Sequence, residues 1–299
     1  MEGSDILMGQ GRKVVISTAY SNWNYIESEE WFDETGKKLG TGGAYTYTLT
    51  DNKEHTLTFR LTNQSGVVLE KVFNIIPNEN ELTNLLADPD CEKPESWNVD
   101  AEGFVKGSGA VSGTFSSYIE RRREQSENGM NCWGLDRFNI SQTLTGLKPG
   151  RYELGASVMA AQQGRSGDAS RNYVKDIYLY ADGVNTAVAT RAGESGHFTV
   201  NFYVGKDGKA TLGAKNVSDQ NFGYSDNGCN WFAMDNFSLV YEGTDYLAAD
   251  LETMRAELDK ITDDMVTPAL MQRIEMLKKQ TADGVEGAAE CQRLLGEVR

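Results

Sequence analysis

The apolar residues of this 299-residue chain change their spacing once, and that change constrains the fold more than any other feature. Before about residue 243 they recur at every second position in short runs. Tyr45, Tyr47 and Leu49 alternate with Ala or Thr, and Leu57, Phe59 and Leu61 alternate with Thr and Arg. A period of two belongs to half-buried strands. From Leu247 the spacing becomes four and three, through Leu251, Met254, Leu258, Ile261 and Met265, which is the a/d seam of a helix. The spacing predicts a mostly β chain with a helical tail.

Turn residues divide the β-rich part in two. Over 1–77, strands are expected at Arg12–Tyr20, Glu29–Asp33, Ala44–Thr50, His55–Asn63 and Val67–Ile76. Thr41-Gly42-Gly43, Asp51-Asn52-Lys53 and Gln64-Ser65-Gly66 supply turns. So many short strands fit a small β-sandwich, with Trp31 as its core aromatic. Over 78–244, strands are expected at Gly113–Glu120, Phe138–Leu144, Tyr152–Met159, Asp176–Ala181, Thr186–Thr190, Phe198–Val204, Ala210–Ala214 and Phe232–Tyr241. Lys148-Pro149-Gly150, Asp182-Gly183 and Lys206-Asp207-Gly208-Lys209 read as hairpin turns. This pattern suggests a jelly-roll β-sandwich.

Residues 245–299 read as an antiparallel three-helix bundle. Thr267 caps a helix that has Pro268 at its first position, and Leu270, Ile274 and Leu277 form its stripe. Ala282-Asp283-Gly284 breaks the helix, and Ala288, Cys291, Leu295 and Val298 form the third stripe. One stripe per helix is a small core, so the helices are expected to pack on the sandwich or to continue in a longer chain.

Charge excludes two classes of partner. The net charge is −15, from 44 acidic and 29 basic residues. Nucleic acid and anionic membrane surfaces both require excess Lys and Arg. With only His55 and His197, multi-histidine metal sites and His-based triads are disfavoured. Cys91, Cys132, Cys229 and Cys291 form no CxxC pair. There is no apolar run of about 18 residues to span a membrane, and no export signal is visible at Met1–Gly11.

The hairpin Thr145–Gly150 is expected to make Phe138–Leu144 and Tyr152–Met159 antiparallel, which puts the loops before Phe138 and after Met159 at one end of the central sandwich. The three longest loops, Arg121–Trp133, Ala160–Lys175 and Val217–Trp231, gather there once the closing strand is paired. They carry Arg121, Trp133, Arg165, Arg171, Tyr173, Phe222, Tyr224 and Trp231. Aromatic rings stack on the C–H face of a sugar, and planar polar groups satisfy its hydroxyls. Trp133 and Trp231 fit the core equally well, and Arg121 fits a solvated basic run.

Two resemblances sharpen this. Tyr45–Leu49, Thr56–Asn63 and Ser65-Gly66-Val67 resemble a PKD-type immunoglobulin-like module, although Asp33–Gly36 replaces that family's Gly-Asp-Gly. Such modules are mostly spacers. Asn84–Glu92 followed by Trp97, Ile140–Leu154 and Trp231–Leu239 resemble the opening strand, central hairpin and closing strand of galactose-binding-like carbohydrate-binding modules. The variant looks most like that on surface proteins of glycan-degrading bacteria. The resemblance implies non-catalytic glycan binding by a secreted or cell-surface protein, as an accessory part of a glycan-degrading system. It also implies a structural calcium held by Asp90, Glu92 and Asp235. The competing reading for those carboxylates is an ordinary ion pair and a turn cap.

A disulfide between Cys132 and Cys229 and two free thiols are both open. A structural spacer or adhesin that binds protein is the main alternative function. A jelly-roll hydrolase or lyase is a weaker one, because no alternating pair of carboxylates stands on a strand.

Overall fold

The computed structural model describes residues 4–18, 25–91, 96–100, 116–118, 129–133, 138–161, 177–188, 196–217, 231–279 and 284–298. The described residues are mostly β, with three helices, and the chain forms two compact units, Met1–Asn84 and Leu85–Arg299.

The first unit contains β1 (Ser4–Met8), β2 (Lys13–Ser17), β3 (Ile26–Phe32), β4 (Lys38–Thr41), β5 (Ala44–Thr48), β6 (His55–Asn63) and β7 (Val68–Pro77). Five of them form a sheet in the order β1-β7-β6-β3-β4, with β1 parallel to β7, and β2 pairs with β5. The alternation seen in the sequence is the burial pattern, with Leu57, Phe59 and Leu61 on the inner face of β6. Trp31 is fully buried among Tyr45, Phe59 and Phe73, and its indole N–H donates to Gly42 O at 2.9 Å. Of the three turns, only Gln64-Ser65-Gly66 closes a hairpin, between β6 and β7. The other two pass from one sheet to the other. β1 and β4 were not expected.

The second unit contains β8 (Asn98–Asp100), β9 (Ser116–Tyr118), β10 (Gly129–Trp133), β11 (Phe138–Leu144), β12 (Gly150–Ala161), β13 (Ile177–Ala181), β14 (Val184–Ala187), β15 (Gly196–Val204), β16 (Ala210–Asn216) and β17 (Trp231–Gly243). They form two antiparallel five-stranded sheets. The first runs β15-β12-β17-β10-β9 and the second β14-β13-β16-β11-β8.

Two expectations are corrected here. Neither Thr145–Gly150 nor Lys206-Asp207-Gly208-Lys209 closes a hairpin, because β11 and β12, and likewise β15 and β16, lie in different sheets and each segment arches between them. The loop expected at Arg121–Trp133 ends in a strand, β10, which pairs with β9 and β17. The expected antiparallel pairing of the closing strand with β12 is present. Asp182-Gly183 is a true hairpin turn between β13 and β14, with both residues at positive φ.

The helices are α1 (Leu247–Leu258), α2 (Pro268–Lys279) and α3 (Gly284–Val298). α1 stops at Leu258, so Met265, counted in its seam, is exposed. Thr267 caps α2 as expected, its hydroxyl accepting from Leu270 N–H. Leu251, Leu258, Ile274, Ala288, Cys291 and Leu294 share one buried cluster with Tyr203 of β15.

α3 thus packs on the sandwich, and a polar side chain fixes it there. β15 is an edge strand whose outward backbone groups have no strand partner. Gln292 supplies one: its Oε1 accepts from Tyr203 N–H at 2.6 Å, and its Nε2 donates to Tyr203 O at 3.2 Å and Asp182 O at 2.8 Å. Gly296 and Gly183 let the two backbones approach more closely than any side chain would permit.

Candidate functional site

The strand register shows which chain ends meet at one end of the sandwich. In the first sheet Trp231 stands opposite both Ala161 and Trp133, and Gly196 stands opposite Val158. In the second sheet Phe138 and Ile177 both stand opposite Asn216, and Asp100 stands opposite Asn139. Two of the three expected loops, Ala160–Lys175 and Val217–Trp231, are bounded by these ends; the third, Arg121–Trp133, is not, because Tyr118 and Gly129 pair at the other end of β10 and its last residues form that strand. An arch between sheets reverses the chain just as a hairpin does.

The segments 162–176 and 218–230 leave and re-enter the described strands at this end. Arg165, Arg171, Tyr173, Phe222 and Tyr224 belong to them and lie outside the described residues. Trp133 and Trp231 are cross-strand partners. Arg121 also lies outside the described residues. Its segment is flanked by Tyr118 and Gly129, which pair at the end of β10 remote from Trp133.

A second feature adjoins the same end. Along β13, Ile177, Leu179 and Ala181 are fully buried on the inner face, which puts Tyr178 and Tyr180 on the outer face of the second sheet. Tyr178 stands opposite Lys215, which stands opposite Asn139; Tyr180 stands opposite Gly213, which stands opposite Ser141. A Cβ at Gly213 would run into the carbonyl oxygen of Ile140, so only glycine fits. With no side chain there, Tyr180 reaches across β16 and its hydroxyl donates to Asn139 Oδ1 at 2.6 Å.

Lys215 Nζ lies over the Tyr180 ring, 4.9 Å from its centroid. Asn98 Nδ2 lies 3.4 Å from Ser141 Oγ. Tyr180 and Ser141 are each 7% exposed and form a floor, while Tyr178, Asn139 and Lys215 are half-buried around it. Burial pushes the Tyr180 hydroxyl pKa up and the Lys215 ammonium pKa down.

This face offers rings, amides, a hydroxyl and one cation. By register it also carries Asp100, opposite Asn139, whereas glycoside hydrolysis needs two carboxylates. In the sequence the long segments between strands, with their aromatics and arginines, point away from this face. The signal was present as the alternation Ile177-Tyr178-Leu179-Tyr180-Ala181.

Of the carboxylates singled out for calcium, Glu92 lies outside the described residues. Asp90 and Asp235 sit on two segments joined by a hydrogen bond from Phe237 N–H to Pro89 O at 2.8 Å. Asn236 and Cys91 beside them adopt left-handed conformations, and Asp235 Oδ1 accepts from Asn236 N–H at 2.7 Å. Among the described residues no cluster of three metal-type ligands is present. Cys291 is a buried free thiol, Cys91 is buried, and Cys229 lies outside the described residues. His197, expected just before a strand, lies within β15 opposite Ser157, and both its ring and Ser238 Oγ crowd over Gly155.

No protein-family model matches the chain, and the comparison with curated proteins gives no match. Among solved structures, the chain is similar to carbohydrate-binding modules. One is TmCBM61 in complex with β-1,4-galactotriose, 17% identical with a TM-score of 0.34, over 53% of this chain and 98% of that one. Another is a family 16 carbohydrate-binding module, 17% identical with a TM-score of 0.32, over 52% of this chain and 99% of that one. A third holds CBM51-2, in complex with GlcNAc, and the INT domains of Clostridium perfringens ZmpB. It is 15% identical with a TM-score of 0.29, over 84% of this chain and 52% of that one. At these values no residue role passes from them to this chain.

Proposed function

We propose that this chain binds glycan without catalysing a reaction on it. The observation that carries this reading is the outer face of the second sheet. There two tyrosines on β13, Asn139, Ser141 and Lys215 surround a position that only Gly213 can fill. Rings for the C–H face of a sugar and planar groups for its hydroxyls thus stand on rigid strands rather than on loops alone. The segments that carry Arg165, Arg171, Tyr173, Phe222 and Tyr224 adjoin Tyr178 and Lys215 in the chain, and we assign them to the same site, together with Trp133 and Trp231. Arg121 is left out of the site, because its segment joins β9 to β10 at the end remote from Trp133.

In this proposal the chain is a secreted or cell-surface accessory of a glycan-degrading system. Residues 1–77 are its PKD-type spacer, 78–244 its binding sandwich and 245–299 a helical bundle. Asp90, Glu92 and Asp235 hold a structural calcium, hard oxygen donors suiting that ion. The test is a broad glycan array, run with calcium and again with a chelator, on the wild-type chain and on Tyr178→Ala. Selective binding that Tyr178→Ala lowers at least tenfold, at unchanged thermal stability, is expected. A blank array overturns the reading in favour of a spacer or a protein-binding adhesin. Binding that survives chelation removes any calcium requirement.

A further inference from the structure

Lys215 stands on the outer face of the second sheet, which by register it shares with Asp100, two strands away. It is a cation in a chain of net charge −15. A half-buried ammonium loses hydration, and proteins normally compensate with a carboxylate at hydrogen-bond distance. Among the described residues Lys215 has none, and its contact is the Tyr180 ring. A ring face occupies only one side of an ammonium, which has three donors. Tyr180 cannot turn away to make room for another partner, because Asn139 and Ser141 hold its hydroxyl. Asn139 and Tyr178, the cross-strand neighbours of Lys215, are neutral.

The arrangement therefore holds a cation in a fixed place, partly stripped of water, next to an aromatic and an amide. An anion that arrives with a sugar would supply the missing counter-charge in surroundings where a charge pair is stronger than in open water. We propose that the glycan taken by this face is acidic, its carboxylate or sulfate group held by Lys215 while its ring lies against Tyr178. This rests on the glycan-binding reading and narrows it to a substrate class.

The experiment is calorimetric titration of the full chain with three oligosaccharides of matched length: a uronic-acid oligomer, a sulfated galactan oligomer and a neutral galactan oligomer. Each is run at low and at raised salt, with wild type, Lys215→Met and Lys215→Arg. The expected result is at least tenfold tighter binding of one acidic ligand than of the neutral one, weakened by salt. Lys215→Met should abolish the preference, and Lys215→Arg should keep most of it. Which acidic ligand binds distinguishes carboxylate from sulfate.

Thermal unfolding of Lys215→Met should match wild type, so a lost preference is not a lost fold. Neutral binding equal to or tighter than acidic binding overturns this inference and leaves the glycan reading standing. So does an acidic preference that Lys215→Met does not change. Failure of wild type to bind any of the three overturns the inference as well, and the array then decides the broader reading.

Discussion

The two sheets of the second unit each present a half-buried cation on their outer face, and the two are treated in opposite ways. On the first sheet, Arg151 lies 2.7 Å from Glu242 and 3.2 Å from Asp250, and its guanidinium lies over the Tyr246 ring. Asp250 also accepts a hydrogen bond from the Tyr203 hydroxyl at 2.7 Å, and burial, then this bond, raises the pKa of that phenol. On the second sheet Lys215 has an aromatic ring and, among the described residues, no carboxylate. A cation paired with two carboxylates inside the chain acts as a fastener, here between the sandwich and α1. A cation left with spare donors is free to meet something from outside.

The largest effect should come from filling the space that makes the second face. Gly213→Ala pushes a methyl group into Ile140 O and should destabilise the second unit by about 3 kcal/mol or more, read by denaturant unfolding. Next is the fastened side. Gln292→Ala leaves Tyr203 N–H, Tyr203 O and Asp182 O without their buried partner, a loss of about 2–3 kcal/mol in the same measurement.

The comparison itself is tested by neutralising each cation. Arg151→Met strands two carboxylates and should lower stability by about 1–2 kcal/mol. Lys215→Met should move stability by less than about 0.5 kcal/mol, because its described contact is a ring that a methionine can also cover, and no described carboxylate is left unpaired. Equal losses from the two substitutions would erase the distinction between the faces.

The smallest effect belongs to a third cation, in the first unit. His55 Nε2 lies 2.8 Å from Asp51 and its Nδ1 3.0 Å from Glu34. The bond to Asp51, then that to Glu34, raises the histidine pKa. The bond to His55 lowers the Asp51 pKa, and Glu34 is lowered by a backbone hydrogen bond at its own position and then by His55. A raised histidine contributes stability below its ordinary value, and this is lost as pH rises through the raised one. A lowered carboxylate contributes above its ordinary value, and this is lost as pH falls through the lowered one. The advantage of wild type over His55→Gln should therefore be widest around pH 5 and shrink on both sides, read as the difference in unfolding midpoint. A difference that does not vary with pH would remove His55 as a titrating clamp.

Much of the fold was legible because strands and helices announce themselves locally. His55–Asn63 and Phe138–Leu144 were expected with the bounds the structure gives them. Thr267-Pro268 marked the start of α2, and Cys291 stood on a buried stripe. The arches were not legible. Gly and Pro mark a chain reversal whether the next strand pairs with the last one or crosses to the opposite sheet, so Lys148-Pro149-Gly150 and Asp182-Gly183 looked alike.

Nor was Gln292 legible, since a polar residue between Cys291 and Leu295 reads as solvated until an edge strand is seen beside it. The sequence by itself determined where strands and helices form and which positions face inward, because backbone period and side-chain hydrophobicity act over a few residues. Only the tertiary structure decided which strands are neighbours, which cation is matched and which is left open. Those depend on residues as far apart in the chain as Asn139, Tyr180 and Lys215 being brought to one face.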